Sequence, residues 1–152
     1  MDDRYTRSRI LFQENFEKLN QAKVLLLGVG GVGGFCLDAL YRAGIKDITI
    51  VDFDTFDITN QNRQIGSEAI GQIKVDVMKS RYEGIKALNL KITKAWVADF
   101  DFTPFDLVID AIDDMPAKVA IAHRCHDKLI SSTGGAKKLD PTRIQITSIW
   151  KT

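Results

Sequence analysis

Gly28-Val29-Gly30-Gly31-Val32-Gly33 is the first stretch of the chain whose residue types select a chemistry. Glycines at this density leave backbone N–H groups unshielded, and a helix opening directly after them adds its own free amides, so the segment suits the close approach of a phosphate. Asp52 follows about twenty residues later, where a carboxylate can accept hydrogen bonds from ribose hydroxyls. To this point NAD and ATP fit equally well. A purely structural use of the glycines, to let a helix pack closely on a strand, is the remaining alternative. Four further segments separate these readings: Asp52-Phe53-Asp54, Thr59-Asn60-Gln61-Asn62-Arg63-Gln64, Gly71-Gln72-Ile73-Lys74 and Asp110-Ala111-Ile112-Asp113-Asp114. A hydride-transfer enzyme has no use for this set. An ATP triphosphate needs fixed cations such as Arg63 and Lys74, together with a carboxylate to hold magnesium.

The elements that must position these residues read as strands alternating with helices. Val24-Leu25-Leu26-Leu27 is a continuous apolar run stopped by Gly28, as expected of a strand buried on both faces. Beyond the glycines, Phe35, Cys36, Ala39, Leu40 and Ala43 recur at helical spacing up to Gly44. Residues 47–52 read as the second strand, the segment to about Gly71 as a long polar loop, and Val75, Met78, Tyr82 and Ile85 as another helical stripe. Period-two alternation predicts a third strand over 91–97, with Trp96 in it, and a final edge strand over 143–150, with Trp150 in it. Between them fall a strand over 105–111, a helix over 117–128 entered at Pro116, and a strand over 129–132. Ahead of all this, Leu11, Phe12, Phe16 and Leu19 predict one amphipathic helix over 8–20, with Ser8 as its cap. The expected fold is α/β, a Rossmann-like doubly wound, mostly parallel sheet with helices on both faces and its ligand at the carboxyl ends of the strands.

Composition sets the outer bounds. With 152 residues, 45% of them hydrophobic, the chain suits a single domain over 1–152. The 21 basic and 20 acidic residues leave a net charge of +1, which excludes the global basic field of a dedicated nucleic-acid binder. Cys36 and Cys125 lie too far apart for a CxxC or Cys/His metal motif and both fall at helical positions, so they read as buried small side chains in a reducing cytoplasm. His123 and His126 read as surface or packed histidines. No apolar stretch approaches the roughly 20 residues that cross a bilayer.

Taken together, the quoted segments resemble the ubiquitin-activating-enzyme-like (ThiF/MoeB-type) adenylyltransferase superfamily, over essentially the whole chain. By that resemblance Gly28, Gly30, Gly31 and Gly33 line the nucleotide, Asp52 binds ribose and Asp54 supports the site beside it. Asn60 and Arg63 hold phosphates, Lys74 contacts the triphosphate near the scissile bond, and Asp113 coordinates magnesium. Asp114 stands where many relatives carry Asn. The early Arg4-Tyr5-Thr6-Arg7 resembles the superfamily's N-terminal segment, which implies a homodimer in which Arg7 reaches the other subunit's site.

Within the superfamily, residues 59–65, 108–113, Ser132-Thr133-Gly134-Gly135-Ala136 and 140–146 resemble the tRNA threonylcarbamoyladenosine dehydratases. The paired CxxC zinc motifs usual in sulfur-carrier activators are missing. The implied reaction spends ATP to adenylate the threonyl carboxylate of threonylcarbamoyladenosine in tRNA, after which an internal nucleophile displaces AMP and closes a ring. Positioning and charge stabilisation suffice for that chemistry, so no side-chain nucleophile is required. Lys137, Lys138 and Arg143 then become candidates for tRNA phosphates. The resemblance further implies a sulfur-relay partner of the cysteine-desulfurase type. It also implies a continuation beyond Thr152 that shapes the substrate end and in some members carries a membrane-associating tail. Two other functions fit the same segments: adenylation of the C-terminus of a ubiquitin-like sulfur carrier, and an inactive nucleotide-binding scaffold subunit.

Overall fold

The chain approaches its sheet through two short helices where the apolar spacing predicts one. They are α1 (Thr6–Phe12) and α2 (Asn15–Gln21), separated at Gln13, whose φ of 49° interrupts the helical path. The physical reason is burial. Of the expected stripe only Phe16 is fully buried, while Leu11 stays 74% exposed, so no continuous apolar face holds a single helix together. Ser8 lies inside α1 and caps nothing; Asp3 instead accepts hydrogen bonds from the Tyr5 amide (2.8 Å) and the Arg9 guanidinium (2.7 Å).

The computed structural model describes residues 3–134 and 139–149. β1 (Lys23–Leu27), α3 (Gly33–Ala43), β2 (Asp47–Asp52), α4 (Lys74–Arg81), β3 (Lys86–Asn89), α5 (Lys94–Asp99), β4 (Leu107–Asp110), α6 (Met115–Cys125) and β5 (Leu129–Ser131) follow in order. The five strands pair in the order β3-β2-β1-β4-β5, all in parallel. Alternation along β1 divides the core into two layers. Val24 and Leu26 join Leu37 of α3 and Val75 and Met78 of α4, whereas Leu25 and Leu27 join Val97 of α5 and Ala117 and Ile121 of α6. Helices therefore cover both faces, as expected of a doubly wound sheet. The chain reverses direction across the sheet between β1 and β4, so a crevice opens at the carboxyl ends of those two strands.

Three further expectations change. The alternating stretch over 91–97 is not a strand: β3 lies earlier, and Thr93 caps α5 by accepting the Trp96 amide at 3.1 Å. Trp96 is thus a helix residue, its ring tilted against that of Phe100 with centroids 4.3 Å apart. In α3 the helix presents Leu37 to the sheet and leaves Phe35 59% exposed. Over 143–149 no strand forms; a 3-10 turn spans Pro141–Arg143, and Ile144 and Ile146 are exposed, so this alternation has no sheet face to bury against. Trp150, like Gly135, Ala136, Lys137 and Lys138, lies outside the described residues.

Candidate nucleotide site

The glycine loop leaves β1 at Gly28, whose φ of +88° is one that side chains rarely tolerate. It is wedged from two sides. A β-carbon on Gly28 would lie 2.8 Å from the Ala111 carbonyl oxygen, and one on Gly33 would lie 1.9 Å from the Gly28 carbonyl oxygen. These two glycines are required by packing. Gly30 differs: the nearest atom to a β-carbon there, Gln64 Nε2, is 3.8 Å away, so its small size leaves room at the loop surface. The amides of Gly30, Gly31 and Val32 donate to no acceptor among the described residues, and they precede the first turn of α3. Free amides at the start of an eleven-residue helix, with its positive dipole end, form an anion-binding cradle.

Asp52 ends β2 and carries a task that spacing alone does not reveal. One carboxylate oxygen accepts the Val29 amide at 2.9 Å and the other accepts the Asp54 amide at 2.9 Å. The residue expected at ribose therefore also clamps the glycine loop to the turn after β2, and its half-buried oxygens keep lone pairs for a ligand.

The long loop between β2 and α4 folds back to meet the glycines. Asp57 accepts the Thr59 amide (2.9 Å) and hydroxyl (2.8 Å), which hold its carboxyl below the ordinary range; Asn60 in return accepts the Asp57 amide at 3.0 Å. This reciprocal cap fixes the 3-10 turn Ile58–Asn60. It sends residues 63–64 across the glycine loop, where a β-carbon on Gly31 would lie 3.3 Å from Arg63 Cγ. The Arg63 guanidinium is exposed and holds the Thr59 carbonyl (3.1 Å) and Asn62 (2.8 Å). At the loop's other end Phe56 and Gln72 pair backbone to backbone, Lys74 donates its amide to the Asp54 carbonyl, and Lys74 Nζ reaches Asp54 Oδ2 at 3.2 Å. Lys74 is only 5% exposed at the first turn of α4. Its ammonium is fixed on a helix, with its carboxylate partner Asp54 half open to solvent.

Asp113 sits on the segment between β4 and α6, exposed and without a hydrogen-bond partner among the described residues. That segment is seated against the glycine loop through Ala111, whose amide donates to the Leu27 carbonyl at 2.8 Å. Asp114 has a definite role: it caps α6 by accepting the Ala117 amide at 2.8 Å, an interaction Asn could make equally well. Arg7 is not brought to this cluster; it is exposed on α1 and its side chain makes no hydrogen bond or ion pair with the described residues. Arg143 is exposed at the end of the Pro141–Arg143 turn, and His123 and His126 are exposed at the end of α6.

Neither thiol is set up as a nucleophile. Cys125 is buried and Cys36 half-buried, and desolvation raises both pKa values, which keeps them protonated at neutral pH. What the sequence reading missed is Lys118, 8% exposed in α6 and paired with the fully buried Asp110. The available signal was a lysine set between Ala117 and Ile121 on a core-facing stripe, a place that demands a buried anion.

A family model described as "ThiF family" matches residues 3–138. The chain belongs to the ThiF family. Among curated relatives, this ThiF-family chain is 42% identical to the tRNA threonylcarbamoyladenosine dehydratase of Bacillus subtilis, over 92% of this chain and 59% of the relative. It is 32% identical to the protein of the same name from Escherichia coli, over 95% of this chain and 58% of the relative. The structure of the E. coli tRNA N6-threonylcarbamoyladenosine dehydratase in complex with AMP superposes with a TM-score of 0.89 at 33% identity, over 98% of this chain and 66% of that one. The chain thus spans about 59% of the B. subtilis relative, and the shared part includes the whole sheet.

Proposed function

We propose that this ThiF-family chain carries the ATP-using domain, over residues 1–152, of a tRNA threonylcarbamoyladenosine dehydratase. The observation that supports this above all is the 42% identity with a protein of that name, over 92% of the chain. The local geometry agrees with it. The free amides of the glycine loop and the start of α3 take the phosphates, Asp52 the ribose, and Asn60 and Arg63 the phosphate flank, with Asp54 steadying Lys74. The threonyl carboxylate attacks the α-phosphorus of ATP in line, pyrophosphate leaves, and an acyl-adenylate forms. A nucleophile within the modified base then attacks the acyl carbon, AMP departs with one carboxylate oxygen, and one water is lost overall. Lys74 stabilises the charge that builds on the phosphates during the first step.

Magnesium suits the residues present. Asp113 offers an exposed carboxylate with no hydrogen-bond partner among the described residues, and no group of three metal-binding side chains occurs among them. A hard cation held by one or two carboxylates plus substrate phosphates needs no more. When bound, it neutralises phosphate charge.

The second subunit of a homodimer supplies Arg7, which the chain's own fold leaves pointing to solvent. A sulfur-acceptor or cysteine-desulfurase partner and a cytoplasmic location belong to the same reading; among the described residues no helix is long and apolar enough to cross a membrane. Sulfur-carrier adenylation has less support, because a relative named a sulfur carrier protein adenylyltransferase matches at 31% identity, against 42% for the B. subtilis dehydratase. A silent scaffold has less again, since Arg63, Lys74 and Asp113 are all present.

The test is mass spectrometry of nucleosides from threonylcarbamoyladenosine-bearing tRNA, incubated with the protein, ATP and magnesium. The modified nucleoside is expected to lose one water, only when ATP is present. An unchanged mass after complete incubation would refute the proposal.

A further inference from the structure

Beneath the Asp113 segment lies a buried ion pair that the proposed reaction does not use. Asp110, the last residue of β4, is fully buried, and Lys118 in the first turns of α6 is 8% exposed. Lys118 Nζ donates to Asp110 Oδ2 at 2.6 Å, to Ser131 Oγ at 3.2 Å and to the Ser132 carbonyl at 2.9 Å, which uses all three ammonium hydrogens. Ser131 Oγ donates in turn to Asp110 Oδ2 at 2.7 Å. The other Asp110 oxygen accepts the Ile112 amide at 3.2 Å, and the Asp110 carbonyl accepts the Ser132 amide at 2.8 Å. Every hydrogen-bonding group of the pair is therefore spent on fixing the ends of β4 and β5 and the start of α6.

The consequence falls on the four residues between. Residues 111–114 leave from Asp110 and end at Asp114, which caps α6, and Lys118 donates its amide back to the Asp114 carbonyl at 2.9 Å. On the open side Ala111 is pressed against Gly28. A segment pinned at both ends and wedged in the middle has little freedom, and Asp113 is the carboxylate it presents. A buried ion pair is poor value as a source of stability, because desolvating both charges offsets their attraction. Its more fitting use is to hold one geometry.

We propose that Lys118, through Asp110, is a positioning residue for Asp113 and sets the magnesium-dependent part of ATP affinity. This rests on the reading that Asp113 faces the metal of bound ATP. The metal would touch neither Lys118 nor Asp110.

The test is calorimetric titration of the whole chain with ATP, once with magnesium and once with EDTA, and its readout is the ratio of the two dissociation constants. In Lys118→Met that ratio is expected to fall about tenfold, the loss typical when a partner that orients a metal ligand is removed, while metal-free ATP binding stays within about twofold. A purely structural role would move both conditions together. The double variant Asp110→Leu/Lys118→Met removes both buried charges; it is expected to recover the thermal stability lost in the single variant but not the magnesium ratio, and it decides the matter if the single variant does not fold. Asp113→Asn is run beside them and is expected to lose the ratio by itself. If Asp113→Asn keeps the wild-type ratio, the metal reading fails and takes this inference with it. If Asp113→Asn loses the ratio while the Lys118→Met and double variants keep it, the inference alone is overturned.

Discussion

Lys74→Ala is expected to slow ATP-dependent pyrophosphate release by about a hundredfold to a thousandfold while leaving the protein folded. The magnitude follows from placement. Lys74 is 5% exposed, at the first turn of α4, with its ammonium 3.2 Å from Asp54. A cation held this rigidly needs little reorganisation when negative charge builds on transferring phosphate, and that is where a fixed charge contributes most. The fold survives because the partner left behind is not buried: the Asp54 side chain is 49% exposed and can return to water. Lys74→Arg is expected to restore little, since a planar guanidinium cannot occupy the place of a compact, enclosed ammonium. Single-turnover pyrophosphate release, with circular dichroism as the folding control, checks this. A rate within threefold of wild type, roughly 0.65 kcal/mol in barrier, would remove Lys74 from the chemistry.

Gly33→Ala and Gly30→Ala are expected to fail in different ways, although the two glycines are three positions apart in one motif. The added carbon at Gly33 would sit 1.9 Å from the Gly28 carbonyl oxygen and 3.4 Å from Ala111 Cβ. Relief requires the loop and α3 to separate, so stability should drop by about 3 kcal/mol or more, and ATP binding with it. At Gly30 the nearest atom is 3.8 Å away, so alanine fits the unliganded fold. Its methyl group instead occupies the surface a phosphate must approach, and ATP affinity should fall with thermal stability nearly unchanged. Thermal melts with and without ATP separate the cases. Equal loss of stability in both variants would mean that the whole motif serves packing.

These contrasts show how far the residues alone carry the account. The unit from β1 through the glycines to α3, with Asp52 closing β2, is legible because each part has its own local signal: an apolar run, unsubstituted backbone, helical spacing and a polar strand end. The Asp54–Lys74 pair was legible only as two members of a spaced set, since they lie 20 positions apart along a loop and a short backbone pairing at Phe56 and Gln72 brings them together. The region from Lys91 to Val97 misleads because alternation is a weaker constraint than a cap: Thr93 starts a helix once Val97 and Trp96 can bury against Phe100 and Phe102. The 143–150 alternation has the same weakness, with no buried face among the described residues to enforce it. The partners of Lys118 were unreadable for another reason. The ammonium charge is balanced by Asp110 and a further hydrogen bond goes to Ser131, two residues that the parallel pairing of β4 with β5 brings side by side.

In the proposed reaction ATP is spent on a carboxylate through attack at its α-phosphorus. The direct measurement is to label the threonyl carboxylate of threonylcarbamoyladenosine in tRNA with oxygen-18, react it with the protein, ATP and magnesium, and determine where the label goes. Adenylation transfers one carboxylate oxygen to phosphorus and releases it with the leaving group, so labelled AMP is expected beside unlabelled pyrophosphate. Label in inorganic phosphate with ADP as the second product, or AMP free of label, would contradict it.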